Sequence, residues 1–246
     1  METCLLTVAM GKRLIAQGLA AHPAVQTALR EGTVVVVAGT TNAAVAGELL
    51  RGLGQEFNPA GFRRGLSLPP GATPPKFQPP KDVVIRKGVW EKDTDIFTVA
   101  AGLGLTDLVF KGANAVDVAR GRAAVLVGHP QVGTSLPILE AVVGRRARLI
   151  VPVGLEKRVT GDLDDLARRL NAPTSRGARL LPLPGEVFTE IDALRVLHGI
   201  EARLVSAGGV LGAEGGIWLG LEGPEPSLAD ARDRLKALAG EAAQPL

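Results

Sequence analysis

Apolar residues along the chain fall into short runs divided by turn formers. Thr33 to Ala38, T-V-V-V-V-A, lies between Gly32 and Gly39 and is rich in β-branched residues, so it predicts a buried strand. Asp82–Arg86, Asp107–Phe110, Ala123–Gly128 and Arg148–Val153 repeat that pattern. The segments between them carry helical spacing. Lys12 to Arg30 predicts helix with a break at His22-Pro23, because proline disfavours helical geometry in the residue before it. Asn42 to Leu53 sets Val45, Leu49 and Leu50 on one face and leaves Glu48 and Arg51 outward. D-T-D-I-F-T-V-A-A-G-L-G predicts a capped helix closing at glycine. Ser135–Val143 and Asp162–Leu170 are further helices, the second with Thr160 or Asp162 near its cap.

Strands alternating with helices predict an α/β fold, with an open, mostly parallel, Rossmann-like sheet covered by helices on both faces. Two stretches break the alternation. Residues 54–81 contain repeated Pro-Pro pairs that preclude regular helix and cannot feed a central strand ladder, leaving a solvated excursion or a lid carrying Arg63 and Arg64. In the last third, Gly185–Leu197 reads as helix. Ala202 to Gly223 reads as two antiparallel strands around a glycine-rich turn, and Ser227-x-x-Asp230 as the opening of a final helix. The expected organisation is a core over 1–180 that includes the proline-rich loop, with a C-terminal helix, hairpin and closing helix over 181–246 packed on it.

Composition narrows the chemistry. The net charge of +3 is spread along the chain, whereas binding a polyanion needs a clustered basic face, so no nucleic-acid partner is expected. The single cysteine, Cys4, leaves no intramolecular disulfide and no cysteine metal cluster. His22, His129 and His198 lack partners at metal-ligand spacing, so no metal site is expected. The first residues, M-E-T-C-L-L-T-V-A-M-G-K-R, place an acid where a signal peptide would be basic and hold only a short apolar run; a cytoplasmic protein with no membrane segment is expected.

The candidate chemistry begins at Gly39-Thr40-Thr41-Asn42. A tight turn between strand and helix offers two hydroxyls and the amides of a helix N-terminus, which favour an anion; the alternative is that Thr41 or Asn42 merely caps the helix. No G-x-x-x-x-G-K-[ST] string occurs, which disfavours nucleotide hydrolysis, and Gly102-Leu103-Gly104 lacks the third glycine of a dinucleotide fingerprint. Lys111-Gly112-Ala113-Asn114-Ala115-Val116-Asp117, the segment Gly128–Thr134 with His129, and Gly154-Leu155-Glu156-Lys157 follow successive strands. An open parallel sheet brings such segments to one ligand-binding edge. Glu214, in G-A-E-G-G, reads as part of a hairpin turn.

The order of G-T-V-V-V-V-A-G-T-T-N, T-D-L-V-F-K-G-A-N-A-V-D, L-E-A-V-V-G and R-L-I-V-P-V-G-L-E-K resembles the superfamily of ribose-5-phosphate isomerase type A, glucosamine-6-phosphate deaminase, DeoR-type sugar-phosphate sensor domains and coenzyme A transferases. The resemblance spans most of residues 12 to 160 and weakens around Leu181 to Val187. It implies that Gly39, Thr40, Thr41 and Asn42 hold a phosphate or carboxylate, assisted by Gly112, Asn114, Asp117 and His129. It further implies Glu140 as a base, with Lys157 and Lys111 stabilising developing negative charge. Two departures stand out: the isomerase's D-G-A-D-E acids are replaced in Lys111-Gly112-Ala113-Asn114-Ala115, and its glycine-rich lysine motif becomes V-L-V-G-H-P. The implied functions are sugar-phosphate-like proton transfer, a non-catalytic metabolite sensor or structural oligomer subunit, and, less favoured, a coenzyme A transferase-like activity. A homo-oligomer with a small anionic metabolite as partner, and no cofactor, is expected.

Overall fold

A computed structural model describes residues 1–65, 67–68, 70–73 and 80–241. The chain opens with β1 (Glu2–Leu6), α1 (Val8–Ala21), α2 (Pro23–Glu31), β2 (Thr33–Val36) and α3 (Thr40–Gly52). After the proline-rich stretch come β3 (Val83–Arg86), β4 (Val89–Glu91), α4 (Ile96–Val99) and β5 (Leu108–Phe110). An excursion of β6 (Ala115–Asp117) and β7 (Arg122–Val127) precedes α5 (Ser135–Leu139), β8 (Arg148–Pro152) and α6 (Leu163–Leu170). β9 (Arg179–Leu183), β10 (Glu186–Phe188), α7 (Glu190–His198), β11 (Glu201–Ala207), β12 (Ile217–Glu222) and α8 (Glu225–Ala237) complete it.

The fold is mixed α/β around a six-stranded sheet of order β10-β8-β5-β2-β3-β4. Strands β10, β8, β5 and β2 are parallel, while β3 and β4 are antiparallel to their neighbours, so the sheet is mixed. The reversal at β3–β4 has a local cause. Lys87 and Gly88 take positive φ of 46° and 79°, the mirror-image turn that joins two twisted strands through two residues. Alternate residues of β2 feed two cores. Val34 and Val36 join α1, α2, α3 and α7 on one face; Val35 and Val37 join α4 and α5 on the other.

Two smaller antiparallel sheets flank this frame, β6-β7-β9 and β1-β12-β11, the latter containing the C-terminal hairpin expected from the glycine-rich turn. Several boundaries differ from expectation. The helix expected over Gly185–Leu197 starts only at Glu190, because Val187 and Phe188 pair with β8 and Gly185 lies against Leu149 and Val151, where a Cβ would collide. Tertiary pairing overrides local propensity there. α1 begins at Val8, capped by Thr7, and Asp162 caps α6. Ser227 lies inside α8 and does not cap it; Pro224 occupies the cap position. The proline-rich loop expected over 54–81 lies partly outside the described residues, at 66, 69 and 74–79.

Candidate functional site at the strand ends

β2, β5, β8 and β10 all end at one edge, and the segments that follow them gather there. α3 starts directly after β2, with extended Gly39 at its cap and no side-chain capping bond, whereas Thr7, His22 and Asp162 cap α1, α2 and α6. Ala43 N–H is the first to bond back into the helix, to Gly39 O at 2.7 Å, so the amides before it have no partner within the helix. Asn42 is fully buried and donates its amide to Val37 O at 2.7 Å and Phe110 O at 3.0 Å, tying the ends of β2 and β5 together. Its Oδ1 and the Thr41 hydroxyl are buried without a hydrogen-bond partner. A side chain at position 112 would approach Asn42 Oδ1, so Gly112 keeps this crevice open. Thr40 is exposed.

On the α1 face, β8 leads through Gly154 into a short helical turn, Leu155–Lys157. Lys157 lies 3.9 Å from Glu156, whose carboxylate folds back over Gly154 where a Cβ would collide with it. Leu155 N–H donates to Glu190 Oε2 at 3.0 Å, and the other Glu190 oxygen packs against Gly11 of α1. Burial, and then the charge of Glu156, push the Glu190 carboxyl up to about 8, so it is protonated at neutral pH. Burial and the like charge of Lys157 lower the Lys12 ammonium below its ordinary range, with Glu156 opposing. Two lysines therefore lie near one carboxylate, Glu156, and neither makes a side-chain hydrogen bond within the described residues. Lys12 and Thr40 both line a groove of about 1130 Å³ between α1 and α3.

The other face is differently constructed. The buried Asp82 carboxylate accepts Ala38 N–H and Ile96 N–H, each at 2.9 Å, and the Arg64 guanidinium at 3.0 Å. Beside it Lys111 Nζ donates to Thr134 Oγ1 at 2.8 Å. Burial lowers the Lys111 ammonium to about 8, with Asp82 opposing and Arg64 adding to the effect. Two cations face one carboxylate here, and both have hydrogen-bond partners, Arg64 in Asp82 and Lys111 in Thr134.

The remaining expected site residues separate. Glu140 sits in a π turn after α5, is exposed, and faces Arg145 at 3.8 Å. His129 is exposed, its ring accepting Gln131 N–H at 3.1 Å. Asn114 accepts Leu126 N–H within the side sheet, and Asp117 holds Arg120, which keeps its carboxyl below the usual range. Sequence reasoning does not single out Lys12, Asp82 and Glu190. Glu190 is hidden in sequence because Thr189-x-x-Asp192 makes it look like an ordinary first-turn acid. Lys12 looks like a solvated helix charge, and the packing of α1 against α3 and α7 brings it near Lys157.

Among the described residues no group of His, Cys, Asp and Glu is placed to hold a metal ion, and no helix is long and apolar enough to cross a membrane. Comparison with family models, curated proteins and solved structures gives no match.

Proposed function

We propose that the protein binds a small phosphorylated or carboxylated metabolite at the strand ends, on a Rossmann-like frame of the isomerase and coenzyme A transferase-like kind. The observation that carries this reading is that Lys12, which makes no hydrogen bond within the described residues, lines one groove with Thr40 at the uncapped start of α3, with Lys157 near it. An anion there meets helix amides, the Thr40 hydroxyl and two ammonium groups. Lys111 serves the opposite face, where it donates to Thr134.

Proton transfer in a sugar-phosphate-like substrate is the chemistry this arrangement favours, with Glu156 as the base in place of Glu140. Glu156 is next to Lys157 at the strand ends, so a proton removed from carbon leaves negative charge beside an ammonium. A metabolite sensor without turnover is the second reading, favoured by the exposure of Glu140 on Arg145. Incubation with ribose 5-phosphate in deuterated water separates the two. Deuterium entering the sugar with wild type but not with Glu156→Gln supports catalysis; ligand-induced thermal stabilisation with no deuterium entry supports sensing.

A further inference from the structure

The α1–α3 groove is larger than an anion or a sugar phosphate requires. Its volume of about 1130 Å³ lies at the upper end of the roughly 300–1,000 Å³ usual for small-molecule sites. Its walls are formed by small residues, Ala9 on α1 and Ala43, Ala44 and Gly47 on α3, with Phe57 closing over Gly47. From Thr40 to Gly47 the α3 wall runs about 10 Å.

Arg13 lies 3.1 Å from Glu48 and 3.4 Å from Glu241, and Arg51 also pairs with Glu48. Gln55, Glu56 and Asn58 line the groove as well. Lys12 lines it with Thr40 and forms no ion pair or hydrogen bond within the described residues, and Lys157 lies near it. An ammonium beside a helix N-terminus, with small apolar residues along α3, matches an amphipathic ligand.

We propose that the α1–α3 groove binds the apolar tail of an acidic metabolite, a carboxylate or phosphate carrying an acyl-type chain of medium length, whose charged end sits at Lys12, Lys157 and Thr40. The inference rests on the anion-binding reading for the head and adds the tail. Arg13, Arg51 and Glu48 hold the trough in shape, and the alanines and Gly47 keep it empty enough for methylene groups.

Calorimetric titration with inorganic phosphate, octyl phosphate and the uncharged octyl glucoside tests it. Octyl phosphate is expected to bind about a hundredfold more tightly than inorganic phosphate, as burial of several methylenes predicts. Ala44→Leu, which fills the trough, is expected to remove that increment and leave inorganic phosphate binding unchanged. Gly47→Ala, which places its methyl at ordinary contact distance from Phe57, narrows the trough without crowding and is expected to reduce the increment several-fold. Lys12→Met is expected to weaken both phosphates. Equal affinity for inorganic and octyl phosphate overturns the tail proposal and leaves the anion site standing. An increment that survives both trough variants overturns it too. Octyl glucoside binding as tightly as octyl phosphate instead overturns the anionic head while the apolar trough remains.

Discussion

The two charged clusters at the strand ends lie on opposite faces of one sheet and solve opposite problems. Around Asp82 a buried carboxylate is met by two backbone amides and Arg64, with Lys111 nearby. Around Glu156 two lysines crowd together while the neighbouring Glu190 is held protonated by burial. The first arrangement is complete in itself and fastens the loop residue Arg64 and the start of α4 to the sheet. In the second, Lys12 and Lys157 make no side-chain hydrogen bond within the described residues, and Lys12 lines a groove with Thr40 at an uncapped helix. Charge count does not separate the two clusters, since each sets two cations against one carboxylate; hydrogen-bond partnering does, because Arg64 and Lys111 both have partners and Lys12 and Lys157 do not.

The largest effect that tests this contrast is expected on the Asp82 side. Asp82→Ala leaves Arg64 and two buried amides without their acceptor and should cost about 3–5 kcal/mol in denaturant unfolding. A loss comparable to that of an exposed ion pair contradicts the assignment of Asp82 as a structural anchor.

The pH dependence should differ in sign between Glu190 and Lys111. Glu190 is raised from 4.5 to about 8 in the folded state, so folding retains a proton that the unfolded chain releases. Its contribution is full below pH 4.5 and is lost as pH rises to about 8. Lys111, lowered from 10.5 to about 8, sheds its proton earlier when folded, so stability gains between those values as pH rises. Glu190→Gln should flatten the first slope and leave the second; denaturant titrations from pH 4 to 10 measure both. An unchanged slope below pH 8 in that variant would show Glu190 ionised in the folded protein.

Smaller effects separate binding from folding. Gly154→Ala displaces the Glu156 carboxylate that folds over it, and ligand affinity or turnover should fall several-fold while most of the stability is kept. Glu140→Gln is expected to change stability by less than about 0.5 kcal/mol, because its pair with Arg145 is half exposed. Loss of ligand binding in Glu140→Gln would restore Glu140 to the site.

Much of the frame is legible in the sequence because buried strands and amphipathic helices carry periodic signals. β2, β5, β7, β8, α3 and α6 lie close to where the periodicity puts them. The short strands β4, β6 and β10 escape because three residues carry no period, and their pairing comes from distant partners. The Gly39–Asn42 turn is legible as a strand-to-helix junction. Asn42's clamp across Val37 and Phe110 is not, since the second partner is far along the chain. Glu140 and Glu156 are alike as letters; only the path of the chain after β7 and β8 sends one to the surface and the other to the strand ends.

The central claim is that Lys12 and Lys157 on the α1 face, which lack hydrogen-bond partners within the described residues, bind an anion. Calorimetric titration of inorganic phosphate into wild type, Lys157→Met and Lys111→Met measures it most directly. The account predicts binding to wild type, at least about tenfold weaker binding to Lys157→Met, and little change in Lys111→Met. Binding that survives in Lys157→Met and is lost in Lys111→Met, with both variants folded, contradicts it and assigns the anion to the opposite face.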